Sequence, residues 1–305
     1  MQNYNEKYEE FKYEIISETK DGKLKQLYWN IAFGLQEVDN LKPSKYMIDL
    51  ATENINGKKT YDDVEKEIKE YYNSCPESKN NPNEQEADIV SVRLVQLLSD
   101  NSFRFDYNTY RIYHKYLFNG LDIVPRKYIG NFRDYNISKS EPVLNGASVA
   151  YTNHFLIKDT LEYDFNEEKN YDYSNKSIDE IVSHLVVFTS NIWQIHPFAE
   201  GNTRTTALFI QKYIQYLGLG KMNNEIFKDN SKYFRNALVR ANYRDISINV
   251  YEDNSFLYKF FSNLLLKTNY VLNNEELYID KNKKISSQMN SISNYKKDSL
   301  SNIVS

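Results

Sequence analysis

The stretch that most constrains the fold is "SIDEIVSHLVVFTSNIWQI", residues 177 to 195. Ser177 and Glu180 form the S-x-x-E signature of a helix start, in which two side chains reciprocally satisfy unpaired main-chain N–H groups. Ile181, Leu185, Phe188, Ile192 and Ile195 then recur on one helical face. Pro197, one residue beyond His196, cannot continue that helix. A second apolar helix opens at once within "GNTRTT", residues 201 to 206. Two such helices joined by so short a loop belong at the centre of a fold. The remaining segments mostly share this period. Nine Gly and six Pro in 305 residues are too few for a sandwich or barrel. The fold class expected is therefore mainly α.

Residues 1–74 read as a small helical module. In "KLKQLYWNIAFGLQEV", Leu24, Leu27, Ile31 and Leu35 keep a helical period. Pro43-Ser44 starts a second helix, Gly57 ends it, and Thr60 begins a third. The polar stretch 75–87, rich in Pro and Asn, reads as a linker. A larger helical domain follows over 88–270, with helices expected at 89–98 and 110–118. Residues 132–151 break the helical pattern, and Asn145-Gly146 favours a tight hairpin turn. The expectation is a β-hairpin flap over about 136–151, leaning on the helices. Residues 271–305 read as a polar tail with no core of its own.

Composition excludes several classes of function. A formal net charge of −4 gives no general reason to bind nucleic acid or an anionic membrane. Cys75 is the single cysteine, so neither an internal disulfide nor a cysteine zinc site is available. No stretch approaches the roughly 18 apolar residues of a membrane span, and the N-terminus lacks a signal-peptide apolar region. A cytoplasmic protein is expected. Paired apolar helices make a homo-oligomer plausible.

The loop between the two central helices, "HPFAEGNTR" (196 to 204), carries the chemistry. A helix N-terminus presents unpaired N–H groups and partial positive charge. Gly201, Asn202 and Thr203 let the backbone approach a phosphate there, and Arg204 offers a planar fork for a second one. Glu200 is placed to hold Mg²⁺, which is usually bound by one or two carboxylates together with substrate phosphates. His196 has a side chain suited to removing a hydroxyl proton. Each residue has a plainer role available: a helix end, a solvated charge, a turn. Their concentration in one short loop favours transfer from a nucleoside triphosphate.

The same stretch resembles the Fic family signature H-x-F-x-[D/E]-G-N-G-R-x-x-R. The resemblance extends over about residues 90 to 265, through "YRIYHKYLF" (110 to 118), "NFRDYNISKSEP" (131 to 142) and "NSKYFRNALVRAN" (230 to 242). It implies a Fic fold, a helical bundle with a β-hairpin flap, and transfer of AMP from ATP to a Tyr, Thr or Ser hydroxyl. It further implies that His196 is the general base, Phe198 the buried loop anchor and Glu200 the Mg²⁺ ligand. Gly201, Asn202 and Thr203 would line the anion hole, and Arg204 would hold the β-phosphate. Tyr233 and Asn242 are candidates for the adenine pocket, and a target protein would dock on the flap by strand addition.

Two positions depart from the signature. Thr203 replaces its third glycine, and Ala207 its last arginine. The N-terminal module resembles the antitoxin-like domain that restrains many Fic enzymes through an [S/T]-x-x-x-E-[G/N] helix. In register with Pro43-Ser44, Asp39-Asn40 falls at the E-[G/N] pair, Leu35 replaces the hydroxyl residue, and Glu37 is out of register. Asp39 and Asn40 would also serve simply to end a helix. With alanine at 207, Asp39 is expected to lack an arginine partner and to restrain the site weakly. A Fic-fold transferase using another nucleotide, phosphocholine or phosphate is the alternative function, and a non-catalytic Fic-fold binding module is the other.

Overall fold

In the computed structural model, residues 19–74, 81–219 and 225–279 are described. They form ten α-helices joined by short 3-10 turns: α1 Lys20–Gln36, α2 Lys45–Ile55, α3 Tyr61–Ser74, α4 Pro82–Ser99, α5 Tyr107–Phe118, α6 Ile157–Asn170, α7 Ile178–Ile195, α8 Asn202–Tyr216, α9 Glu225–Ala241 and α10 Ser255–Leu265. Mainly α is the class observed. None of the described helices is long and apolar enough to cross a membrane.

The helix starts follow local chemistry. Ser177 and Glu180 make the expected reciprocal capping box on α7. Ser44 caps α2 by accepting from the Met47 N–H at 2.9 Å. Asn81 caps α4, with Pro82 in its first turn, where the missing N–H costs nothing. This corrects the expected linker: residues 82–87 are helical, and 75–80 lie outside the described residues.

The three helices of the N-terminal module form, and they share one continuous apolar core with the rest of the described chain. α1 packs against both α4 and α9, so its second half is buried on more than the one stripe its periodicity implied. Trp29, Ile31, Ala32, Phe33 and Leu35 are all buried. The approach to α9 is close: a Cβ on Gly34 would come within 2.5 Å of the Lys228 carbonyl. α2 and α3 are tied to α4 through buried Asp88. Its carboxylate accepts from the Ser44 N–H (2.8 Å), the Ser44 hydroxyl (2.6 Å) and the Tyr72 hydroxyl (2.7 Å).

The flap does not form the expected hairpin; no strand is present among the described residues. Asn145 and Gly146 do take left-handed conformations, φ 54° and 90°, after a 3-10 turn over Pro142–Leu144. One main-chain bond then joins the arms, from Glu141 N–H to the Ala147 carbonyl at 3.0 Å. Beyond it the Lys139 N–H bonds to the Ser148 hydroxyl instead of a facing carbonyl, so the ladder stops. The segment is held from inside by its side chains. Val143, Leu144 and Val149 are buried, and Arg235 grips buried Glu141 with both terminal nitrogens, at 2.7 and 3.1 Å.

The start of the expected polar tail is likewise packed, with Leu277 and Ile279 buried. The Ile279 N–H donates to the Val143 carbonyl at 2.9 Å, and the Asn145 amide donates to the Ile279 carbonyl at 3.1 Å. The late chain thus stitches the flap tip. Residues 280–305 lie outside the described residues.

Candidate active site

α7 ends on His196, which adopts a left-handed conformation, φ 49°, uncommon for a residue with a Cβ. Buried Arg133 fixes this end of the loop. It donates to the carbonyls of His196 (2.8 Å), Ile195 (3.3 Å), Tyr135 (2.6 Å) and Thr152, while its own main-chain N–H bonds to the Pro197 carbonyl. The His196 ring is buried beside Tyr151 and Trp193. Neither ring nitrogen has a hydrogen-bond partner among the described residues. Burial, followed by the nearby charge of Lys139 and then Arg133 and Arg235, holds its pKa well below the ordinary histidine value. The imidazole is therefore neutral and able to accept a proton.

The middle of the loop is a wound turn. Phe198 is fully buried and stacks on His114 at 3.9 Å between ring centroids. The Asn202 side chain clasps Phe198, its oxygen accepting from the Phe198 N–H and its amide donating to the Phe198 carbonyl, both at 2.9 Å. His114 accepts the Gly130 N–H on Nδ1 at 2.9 Å, so Nε2 carries the proton toward the Glu200 carbonyl at 3.0 Å. Burial lowers the His114 pKa to about 3, which keeps that neutral tautomer.

α8 begins at Asn202 after Gly201, which has φ 75° and supplies no side-chain cap. The first-turn N–H groups of a helix have no intrahelical acceptor, so this start retains donors for an anion. Gly201 is required for a further reason. A Cβ there would meet the Phe118 ring at 2.2 Å. Thr203, the departure from the signature, accepts the Trp193 indole N–H on its hydroxyl at 3.0 Å. That hydroxyl is committed to the α7–α8 packing.

Arg204 stands differently from the expectation of an open phosphate grip. It is 2% exposed, lies 5.0 Å over the Phe118 ring, and donates to the Gln36 side chain at 3.0 Å and to Glu86. Its Nε lies 2.9 Å from an Asp39 carboxylate oxygen. That approach is off the N–H direction, since Nε makes no aligned hydrogen bond. We read it as a charge contact. The expectation that Asp39 lacks an arginine partner is thereby overturned: the partner is Arg204, not position 207, where Ala207 is buried in the core. Asn40, φ 57°, ends the 3-10 turn over Glu37–Asp39. Burial raises the Glu86 pKa, opposed by Arg204.

Glu200 is half-exposed and pairs with Lys139 of the flap at 3.0 Å. Among the described residues no three His, Cys, Asp or Glu side chains stand together as a metal site. A lone accessible carboxylate fits Mg²⁺ only when phosphate oxygens and water complete its shell. Tyr233 and Asn242 are not brought to the loop by their hydrogen bonds. The buried Tyr233 hydroxyl donates to the Phe256 carbonyl at 3.3 Å, and the Asn242 amide donates to the Ser190 hydroxyl at 2.9 Å and to the Leu238 carbonyl.

Sequence reading missed Glu86, Gln36 and Lys139 as site residues. Glu86 sat in the assumed linker, although Asn81-Pro82 signals a helix start. Gln36 and Lys139 carried no local signal.

Comparison with protein families gives a match over the loop and its helices. The model described as Fic/DOC family covers residues 104–214. That segment runs from just before α5 through most of α8 and contains the whole loop. It marks these residues as a Fic/DOC domain, a transferase type in general, and the helical architecture agrees. Gln36, Asp39 and Glu86, which hold Arg204, lie outside the match, and the match covers less than half of the chain. No curated protein and no solved structure matches the chain.

Proposed function

We propose that this chain is a protein adenylyltransferase, moving AMP from ATP to a Tyr, Thr or Ser hydroxyl of a target protein and of itself. The observation that carries the reading is His196: a buried, neutral imidazole with both nitrogens unpartnered among the described residues, at the end of α7 and six residues before the start of α8. A buried polar group without a partner costs about 1–3 kcal/mol, and such an uncompensated group is expected where a reacting hydroxyl is to be bound.

In this mechanism His196 removes the hydroxyl proton as the oxygen attacks the α-phosphorus. The bond to the β-phosphate oxygen breaks, and pyrophosphate leaves with the electron pair. The α8 N-terminus receives the phosphate charge through the main-chain N–H groups of its first turn. Mg²⁺ held by Glu200 and the phosphates would neutralise further charge. A polyanion beside His196 would also raise its lowered pKa toward neutrality, improving it as a base. The target would dock on the flap segment 136–151 by strand addition.

Arg204 joins the phosphates only by exchanging its contacts with Gln36, Asp39 and Glu86. α1, the turn after it and α4 therefore act as a restraint, through the carboxylates of Asp39 and Glu86 that hold the loop's own arginine. A donor other than ATP is the second reading, favoured by the engagement of Arg204 with Gln36, Asp39 and Glu86.

The test is intact mass after incubation with ATP and Mg²⁺, wild type beside His196→Ala. A gain of one AMP, reduced about 10²–10⁴-fold in rate by the substitution, is expected. If no nucleoside triphosphate adds mass to the chain or to proteins of a cell extract, the proposal fails.

A further inference from the structure

Lys139 sits on the flap, and its ammonium lies 3.0 Å from the Glu200 carboxylate. We propose that Lys139 is a polyphosphate-binding residue. Its ammonium neutralises Glu200; when an anion and its cation arrive, it turns to the phosphates. This inference rests on the transfer reading for the identity of the anion, and on geometry for the residue.

Three observations lead there. The first is the balance of charge around the α8 N-terminus. A polyphosphate needs several positive partners, but Arg204 is already engaged by two carboxylates, Asp39 and Glu86. Arg133 is saturated by main-chain carbonyls, and Arg235 is locked on Glu141. Position 207 is a buried alanine. Lys139 is the cation that faces Glu200 from across the loop.

The second observation is exchangeability. The Lys139 and Glu200 side chains are 29% and 50% exposed, and a pair so open contributes about 0–1 kcal/mol. Separating it costs little. The Arg204–Glu86 pair is nearly sealed, at 2% and 7%, and parting a buried pair costs about 3–5 kcal/mol. Of Arg204 and Lys139, Lys139 is the one that can change partners readily.

The third is placement. The Lys139 N–H is fixed on the Ser148 hydroxyl at 3.0 Å, and that hydroxyl is anchored on the Val149 carbonyl at 2.9 Å. Two residues on, Glu141 is gripped by Arg235. The backbone under Lys139 is thus set, while a four-carbon stem lets its ammonium sweep from Glu200 to a neighbouring phosphate.

The experiment is calorimetric titration of α,β-methylene-ATP with Mg²⁺, and separately of inorganic tripolyphosphate. Wild type, Lys139→Met and Lys139→Arg are compared, each also with Asp39→Asn to loosen Arg204. The expected result is about tenfold or greater weakening in Lys139→Met, the scale of one charge-assisted hydrogen bond. Lys139→Arg should recover most of it, with all thermal midpoints unchanged. Equal binding by wild type and Lys139→Met overturns the role of Lys139 and leaves the transfer reading intact. Lys139-dependent binding of tripolyphosphate alone supports Lys139 and counts against the nucleotide. Binding of neither probe by any form overturns both.

Discussion

A buried arginine anchors each end of the 196–204 loop, but the two are held by opposite means. Arg133, at the His196 end, gives its protons to main-chain carbonyls of Ile195, His196, Tyr135 and Thr152. Those acceptors cannot ionise or be exchanged without unfolding the backbone. Arg204, at the other end, is held by side chains of Gln36, Asp39 and Glu86 from α1, the turn after it and α4. Those acceptors can move, titrate or be replaced. One end is permanent and local; the other is conditional and depends on helices outside the matched domain.

The sharpest way to break this comparison is a pair of rescue experiments. Arg204→Met should destabilise the fold by about 3–5 kcal/mol in urea, because Glu86 is left buried and unpaired. Adding Glu86→Gln should return most of that loss. Arg133→Met should cost about 2–4 kcal/mol through orphaned carbonyls, and no second side-chain change should restore it. Equal rescue, or none in either case, would erase the distinction.

A smaller effect tests the conditional end through pH. Burial raises the Asp88 pKa to about 6 from an ordinary carboxylate value. A folded-state pKa above the unfolded one gives stability that is full below about pH 4 and lost as pH rises through 6. Asp88→Asn should lack this slope, so wild type should fall relative to it by roughly 1–3 kcal/mol across that window. Denaturant midpoints at stepped pH would show it. The smallest effect is expected for Asp39→Asn. Its carboxylate is 37% exposed, so stability should change by under about 1 kcal/mol. If it restrains the site, auto-modification should nonetheless rise; an unchanged rate would remove Asp39 from that role.

The central helices and their loop were legible because the signals there are local. The Ser177–Glu180 box, the α7 apolar face and Pro197 each act within one or two turns. The hairpin was misjudged because β-prone residues and Asn145-Gly146 describe a turn, whereas the ladder was decided by Ser148 taking the Lys139 N–H. Asp39 was expected to lack an arginine partner, and it meets Arg204. Which arginine it meets depends on how α1 crosses α4 and α9, and no short motif encodes that. Thr203 stood out in the sequence as a departure from the signature's glycine. Its hydroxyl answers Trp193 ten residues earlier, a pairing that spacing alone did not suggest.

The stitch between the flap and Ile279 also bears on the order in which the molecule is assembled. Asn145 and Ile279 are 134 positions apart, a contact that closes late on entropic grounds. During synthesis the earlier segments fold first. Gln36, Asp39 and Glu86 have all emerged before Arg204 is made, and the flap tip is secured only when residue 279 follows. A nascent chain therefore carries all three partners of Arg204 before Arg204 itself is made, and closes its flap tip last.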